Sequence, residues 1–93
     1  MRQFRPENKL SRAENLFSTD LDQETILMSI EAGAYYGLAG PARAIWEILE
    51  VPLTFSALVE RLLQSYHVSP ETCVADVGRF LDQMEREGLI SVE

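Results

Sequence analysis

The chain has 93 residues, enough for one domain with a modest core, and its 46% hydrophobic and 25% charged composition is that of a soluble globular protein. Fifteen acidic residues against eight basic ones give a formal net charge of −7, which opposes any role resting on a polyanion such as DNA. No apolar run is long enough to span a bilayer, "MRQFRPENKLSR" lacks the apolar core of a secretion signal, and a lone cysteine, Cys73, allows no internal disulfide, so the expected location is the cytoplasm.

Arg2, Arg5, Lys9 and Arg12 fall in an opening stretch of little hydrophobic periodicity. Residues 1–14 are therefore expected to be a loosely ordered arm, and residues 15–93 the folded domain. "NLFSTDL", Asn15 to Leu21, reads as a first strand, "DQE" as a polar turn, and "ETILMSIE" as a central strand. The turn "EAG" then sets a register. Gly33 suits the positive φ of a type I turn with a G1 bulge built on Glu31, Ala32 and Gly33. That turn pairs Ile30 with Ala34, Met28 with Tyr36 and Ile26 with Leu38, all six on an apolar, core-facing side. Ser29 with Tyr35, and Leu27 with Gly37, then fall on the other face. The third strand stops at Leu38.

Three helices follow. The first opens at Gly40-Pro41, buries Ile45, Trp46, Ile48 and Leu49, and ends at Val51-Pro52. The second starts at Thr54 as N-cap and runs through Phe55, Leu58, Val59, Leu62 and Leu63 to about His67. The third starts at Ser69 with Pro70 and Glu71 in its first turn, presents Val74, Val77, Phe80, Leu81 and Met84 on one side, and stops at Gly88. "LISVE" closes the chain as a short extended tail. Strands first and helices after give an α+β fold: a three-stranded antiparallel meander followed by three helices, winged-helix-like.

The residues offer little catalytic chemistry. His67, the only histidine, sits where a second helix ends, and a structural role there outweighs acid–base work. Cys73 lies in a first helical turn, where a thiol pKa can fall, but cysteine is among the most buried residue types. One His, one Cys and scattered carboxylates make no metal site, and no cofactor is expected. "GLAGPA" lacks the lysine of a phosphate loop, and Asp20/Asp22 and Glu85/Glu87 read as solvated surface.

A sheet that ends on a bare strand is a hazard unless its edge has a use. "TILMSIEAGAYYGL", "ARAIWEILE" and "TFSALVERLLQSYHVSPETCVADVGRFLDQMEREGLI" resemble the PqqD-like family over nearly the whole chain after residue 14. Their order and spacing are most similar to the stand-alone recognition protein of lasso-peptide biosynthesis. The resemblance implies a non-catalytic protein that binds the leader segment of a ribosomally made precursor peptide. The leader would add as a strand to the third β-strand, with side chains in an apolar groove bounded by the third helix. It also implies partners: a leader-cleaving cysteine protease and a macrocycle-forming cyclase. Many relatives have Asn after the Leu of "YYGL"; here Ala39 departs from that pattern and is expected to alter the strand–helix turn.

Strand addition is a recurring mode of peptide recognition, and an open edge, a neighbouring groove and an acidic balance suit it. The expected contacts are Ala34, Tyr35, Tyr36, Gly37 and Leu38 on the third strand and Val74, Val77 and Leu81 on the third helix. Alternation of the ladder turns the backbone groups of Tyr35 and Gly37 outward. The competing reading is a winged-helix DNA-binding regulator, which the acidic third helix opposes: Glu71, Asp76, Asp82, Glu85 and Glu87 against Arg79 and Arg86.

Overall fold

The computed structural model describes residues 2–93. Its elements run β1 (Lys9–Arg12), β2 (Leu16–Leu21), β3 (Glu24–Ser29), β4 (Ala34–Ala39), α1 (Pro41–Ile48), β5 (Leu53–Thr54), α2 (Phe55–Ser65), α3 (Pro70–Arg86) and β6 (Ile90–Val92). Two antiparallel sheets form, ordered β2-β3-β4 and β5-β1-β6. The α+β class, the meander and the three helices agree with the sequence. The second sheet was not foreseen, because its strands are two to four residues long and carry too few side chains to show a period.

That second sheet corrects the expectation of a loose arm over residues 1–14. Leu10, in β1, is fully buried. Lys9 and Glu93 exchange backbone hydrogen bonds of 2.9 Å each way, and the Ala13 N–H donates to the Leu89 carbonyl at 2.9 Å. Buried Asn8 bonds through both ends of its side-chain amide: Oδ1 accepts from the Arg5 N–H at 2.7 Å and Nδ2 donates to the Glu93 carbonyl at 3.2 Å. Arg12 is likewise no solvated cation. Its Nε and Nη2 donate to the Trp46 carbonyl at 3.0 and 2.6 Å, and its guanidinium lies 4.3 Å from the centroid of the Trp46 ring. That carbonyl belongs to the last turn of α1, where intrahelical partners run out.

The helices follow their signals. Thr54 and Ser69 cap α2 and α3 by accepting from the Ala57 and Thr72 N–H groups, both at 3.2 Å. Pro41 opens α1 directly after Gly40, whose φ of 57° makes the sharp exit from β4. The special backbone of that turn therefore belongs to Gly40; Ala39 simply ends the strand. Helix α2 ends at Ser65, two residues short of His67. The core joins both sheets and all helices through Leu10, Leu27, Leu38, Ile45, Leu58 and Leu81.

The β3–β4 register differs from expectation by one residue. Ser29 pairs with Ala34, Met28 with Tyr35, Leu27 with Tyr36, Ile26 with Gly37 and Thr25 with Leu38. Gly33 does take a positive φ, 62°, but the loop holds four residues, Ile30 to Gly33, instead of three. The Gly33 N–H donates to the Ile30 carbonyl at 3.3 Å, and the Ser29 hydroxyl accepts from the Ala32 N–H at 3.2 Å. A slip of one residue exchanges the faces of a strand. Leu27 and Thr25 are thus buried, while Ile30 and Met28, expected in the core, are 66% and 36% exposed.

Candidate functional site

The hydrogen-bonding direction of β4 follows from the turn before it. Asp22, with φ 58°, and Gln23 form a two-residue connection that closes on the pair Leu21/Glu24. Such a closing pair exchanges hydrogen bonds, and alternation then turns Glu24, Ile26 and Met28 toward β2 and Thr25, Leu27 and Ser29 toward β4. Their partners Leu38, Tyr36 and Ala34 bond inward. The N–H and C=O groups of Tyr35 and Gly37 therefore point away from the sheet, along an edge that no other strand covers. This outcome agrees with the sequence reading despite the wrong register, because the slip moved β3 and left the parity of β4 intact.

Beside that edge lies a groove of about 380 Å³ between β4 and the C-terminal half of α3. Tyr36, Leu38 and Ala42 form one wall; Phe80 and Met84 form the other, with Gln83 and Glu87 on its rim. Gln83 Nε2 donates to Glu87 Oε1 at 3.3 Å, so the rim is held together. The groove is apolar inside and polar at its mouth. A smaller apolar cleft of about 100 Å³, between α1, α3 and the Tyr66–Val68 turn, shares Phe80 with it. At the other edge of the sheet, Phe17, Ser18 and Thr19 of β2 line a smaller cavity of about 120 Å³ with Ile26, Met28 and Tyr35.

The five residues expected on the strand, Ala34 to Leu38, all lie on β4, and Tyr35 to Leu38 border the groove. The three expected on the helix do not. Val77 and Leu81 are core residues, 4% and 0% exposed. Val74 lies on the opposite side of α3, in a cleft with Phe4 and Phe55. At 3.6 residues per turn, Phe80, Gln83, Met84 and Glu87 form their own stripe, nearly half a turn from Val74, Ala75 and Gly78. The sequence groups Val74, Val77, Phe80, Leu81 and Met84 on one side of α3, but Val74 is 44% exposed on the far side and only Phe80 and Met84 reach the groove. The groove face does not stand out in the sequence because its other two residues, Gln83 and Glu87, are polar.

Tyr35 and Tyr36 divide the two faces of the edge. Tyr36 packs on the core from the groove side; Tyr35 is 71% exposed on the outer side. There it completes a row across the sheet with Met28 and Phe17, which is 57% exposed. Cys73 is buried, and burial first, then the Asp76 carboxylate, push its thiol pKa up, the reverse of an activated nucleophile. His67 is exposed in the α2–α3 turn, away from the groove.

Comparison with known proteins adds two findings. The family described as Coenzyme PQQ synthesis protein D (PqqD) matches residues 24–90. The fold superposes on a solved structure titled "TbiB1 in Complex with the TbiA(beta) Leader Peptide" with a TM-score of 0.81 and 25% sequence identity, covering 87% of this chain and 94% of that one. No curated protein shows significant sequence similarity. The family match spans β3, β4 and all three helices, the elements that build the edge and the groove.

Proposed function

Because the chain belongs to the PqqD family, we propose that it binds the leader segment of a ribosomally synthesised precursor peptide and presents it to processing enzymes, a leader-cleaving cysteine protease and a macrocycle-forming cyclase in a lasso-type pathway. The leader adds antiparallel or parallel to β4, takes the outward hydrogen bonds of Tyr35 and Gly37, and places alternate side chains in the groove against Phe80 and Met84. The observation that carries this reading is the coincidence of an uncovered β-edge with an apolar groove along the same strand. The similar protein TbiB1 is solved in complex with the TbiA(beta) leader peptide.

The groove walls bring apolar surface and hydrogen-bonding rims and no nucleophile–base pair, so the reading is binding without catalysis. The DNA-binding alternative loses support at α3. Its two arginines lie against carboxylates of their own helix, Arg79 with Asp76 at 2.7 Å and Arg86 with Asp82 at 3.2 Å, which leaves them poor phosphate ligands.

Titration calorimetry with the leader peptide of the cognate precursor tests the proposal. One-to-one binding, with the peptide recovered intact, is the expected result. Absence of binding at tens of micromolar, roughly −6 kcal/mol, contradicts it.

A further inference from the structure

Gly37 is the only residue of β4 without a side chain, and the space above it is taken. A Cβ built on Gly37 would stand 2.9 Å from Glu24 Oε2 and 3.4 Å from its Cδ. The Glu24 carboxylate thus leans from the central strand across Gly37 toward the free edge, on the outer face of the sheet. Among the described residues it has no ion pair and no side-chain hydrogen bond. The other acidic side chain at this edge, Glu87, lies on the groove side and is engaged by Gln83. The cation beside this strand, Arg43, is engaged by others: it donates to Thr25 Oγ1 at 3.2 Å and pairs with Asp20 at 3.6 Å and Glu47 at 3.1 Å. From Ala13 to Ala42 the sequence has no Lys, Arg or His and five carboxylates, Glu14, Asp20, Asp22, Glu24 and Glu31.

We propose that Glu24, reaching over Gly37, is a cation subsite that selects a Lys or Arg on the outward face of the strand added to β4. This rests on the strand-addition reading and names a sequence requirement within it. A residue directly opposite Gly37 on an added strand projects on the same outer face, with its Cβ about 5 Å from the position a Gly37 Cβ would occupy. The carboxylate lies within easy reach of an ammonium or guanidinium from there. Any side chain larger than glycine at position 37 would push the carboxylate back toward β3. Two residues along, the outward side chain of the added strand meets Tyr35 and extends the row Phe17–Met28–Tyr35, so an apolar residue fits. The outward code is a cation and an apolar residue separated by one position.

The test is selection from a phage-displayed library of random 16-residue peptides on the full chain, keeping those that lose binding to Tyr35→Pro. Retained peptides are expected to share a Lys or Arg with an apolar residue two positions away. Replacing that cation by Ala should weaken binding about fivefold, the scale of a partly exposed ion pair, and Glu24→Gln should abolish the difference. Glu24→Lys should invert the preference to Asp or Glu. Edge-binding peptides without a conserved cation, or with a cation preference unchanged in Glu24→Gln, overturn the inference while leaving strand addition intact. A library that yields no edge-binding peptide overturns strand addition and the inference together.

Discussion

Leu27 stands directly opposite Tyr36 across β3 and β4, Leu27 fully buried and Tyr36 packed on the same core, while Tyr35 beside it is 71% exposed. Two adjacent tyrosines therefore differ in what their backbones do. Tyr36 bonds to β3; Tyr35 bonds to nothing in the fold. Tyr35→Pro should fold, since proline is tolerated where the N–H faces away from the ladder, yet should lose about tenfold or more in leader affinity. A missing hydrogen bond of roughly 0.5–1.5 kcal/mol and the ring's bulk both contribute. Tyr35→Ala should bind better than Tyr35→Pro, and Tyr36→Pro should melt far lower than either. Thermal melts and leader titrations on the three variants check this ordering.

Binding and stability should separate on α3. Phe80→Ala opens the groove wall and should reduce leader affinity more than folding stability. Leu81→Ala, one residue on and fully buried, should cost about 2–5 kcal/mol of stability and leave affinity of the folded fraction unchanged. Val74→Ala should do little to binding. Denaturant titrations paired with calorimetry distinguish the three. A Val74 variant that binds as poorly as the Phe80 variant would place the groove on the wrong face of the helix.

Arg12→Ala should destabilise the domain by about 1.5–3 kcal/mol, because it leaves the Trp46 carbonyl without its charged donor and removes the stacking on the indole. Arg12→Lys should recover less than half, since an ammonium lacks the planar fork that donates and stacks at once. Urea unfolding midpoints measure both.

Cys73 makes stability fall at alkaline pH. Burial raises the folded thiol's pKa above that of the unfolded chain, so its contribution is complete below the unfolded pKa. It is lost as pH rises through the folded one. Cys73→Ala should flatten that part of the stability–pH curve. The native thiol should also react with a disulfide reagent far more slowly than the thiol in urea.

What the sequence made legible was set by how many residues each signal had. The long helices showed caps and period at once, from Thr54 and Ser69 through Leu58 and Val77. Faces of β4 were legible because Tyr36 and Leu38 alternate with Gly37. The faces of β3 were not: "TILMSI" is apolar on both sides, so pattern could not choose between Leu27 and Met28, and the choice passed to a turn whose length was one residue too short. Strand β1 was hidden because "KLSR" has a single buried side chain, Leu10, and its remaining partners, Glu93 and Trp46, lie far along the chain. The groove wall merged with the core face: Phe80 and Met84 read together with Val74, Val77 and Leu81, and Gln83 and Glu87, being polar, gave no sign that a separate stripe runs through them.

Residue-resolved amide hydrogen exchange, with and without leader peptide, tests strand addition to β4 most directly. In the free protein the Tyr35 and Gly37 amides should exchange quickly and the Tyr36 amide slowly, because only Tyr36 donates into the sheet. With saturating leader, Tyr35 and Gly37 should become protected to the level of Tyr36. A leader that binds tightly while Tyr35 and Gly37 continue to exchange as in the free protein would contradict the account.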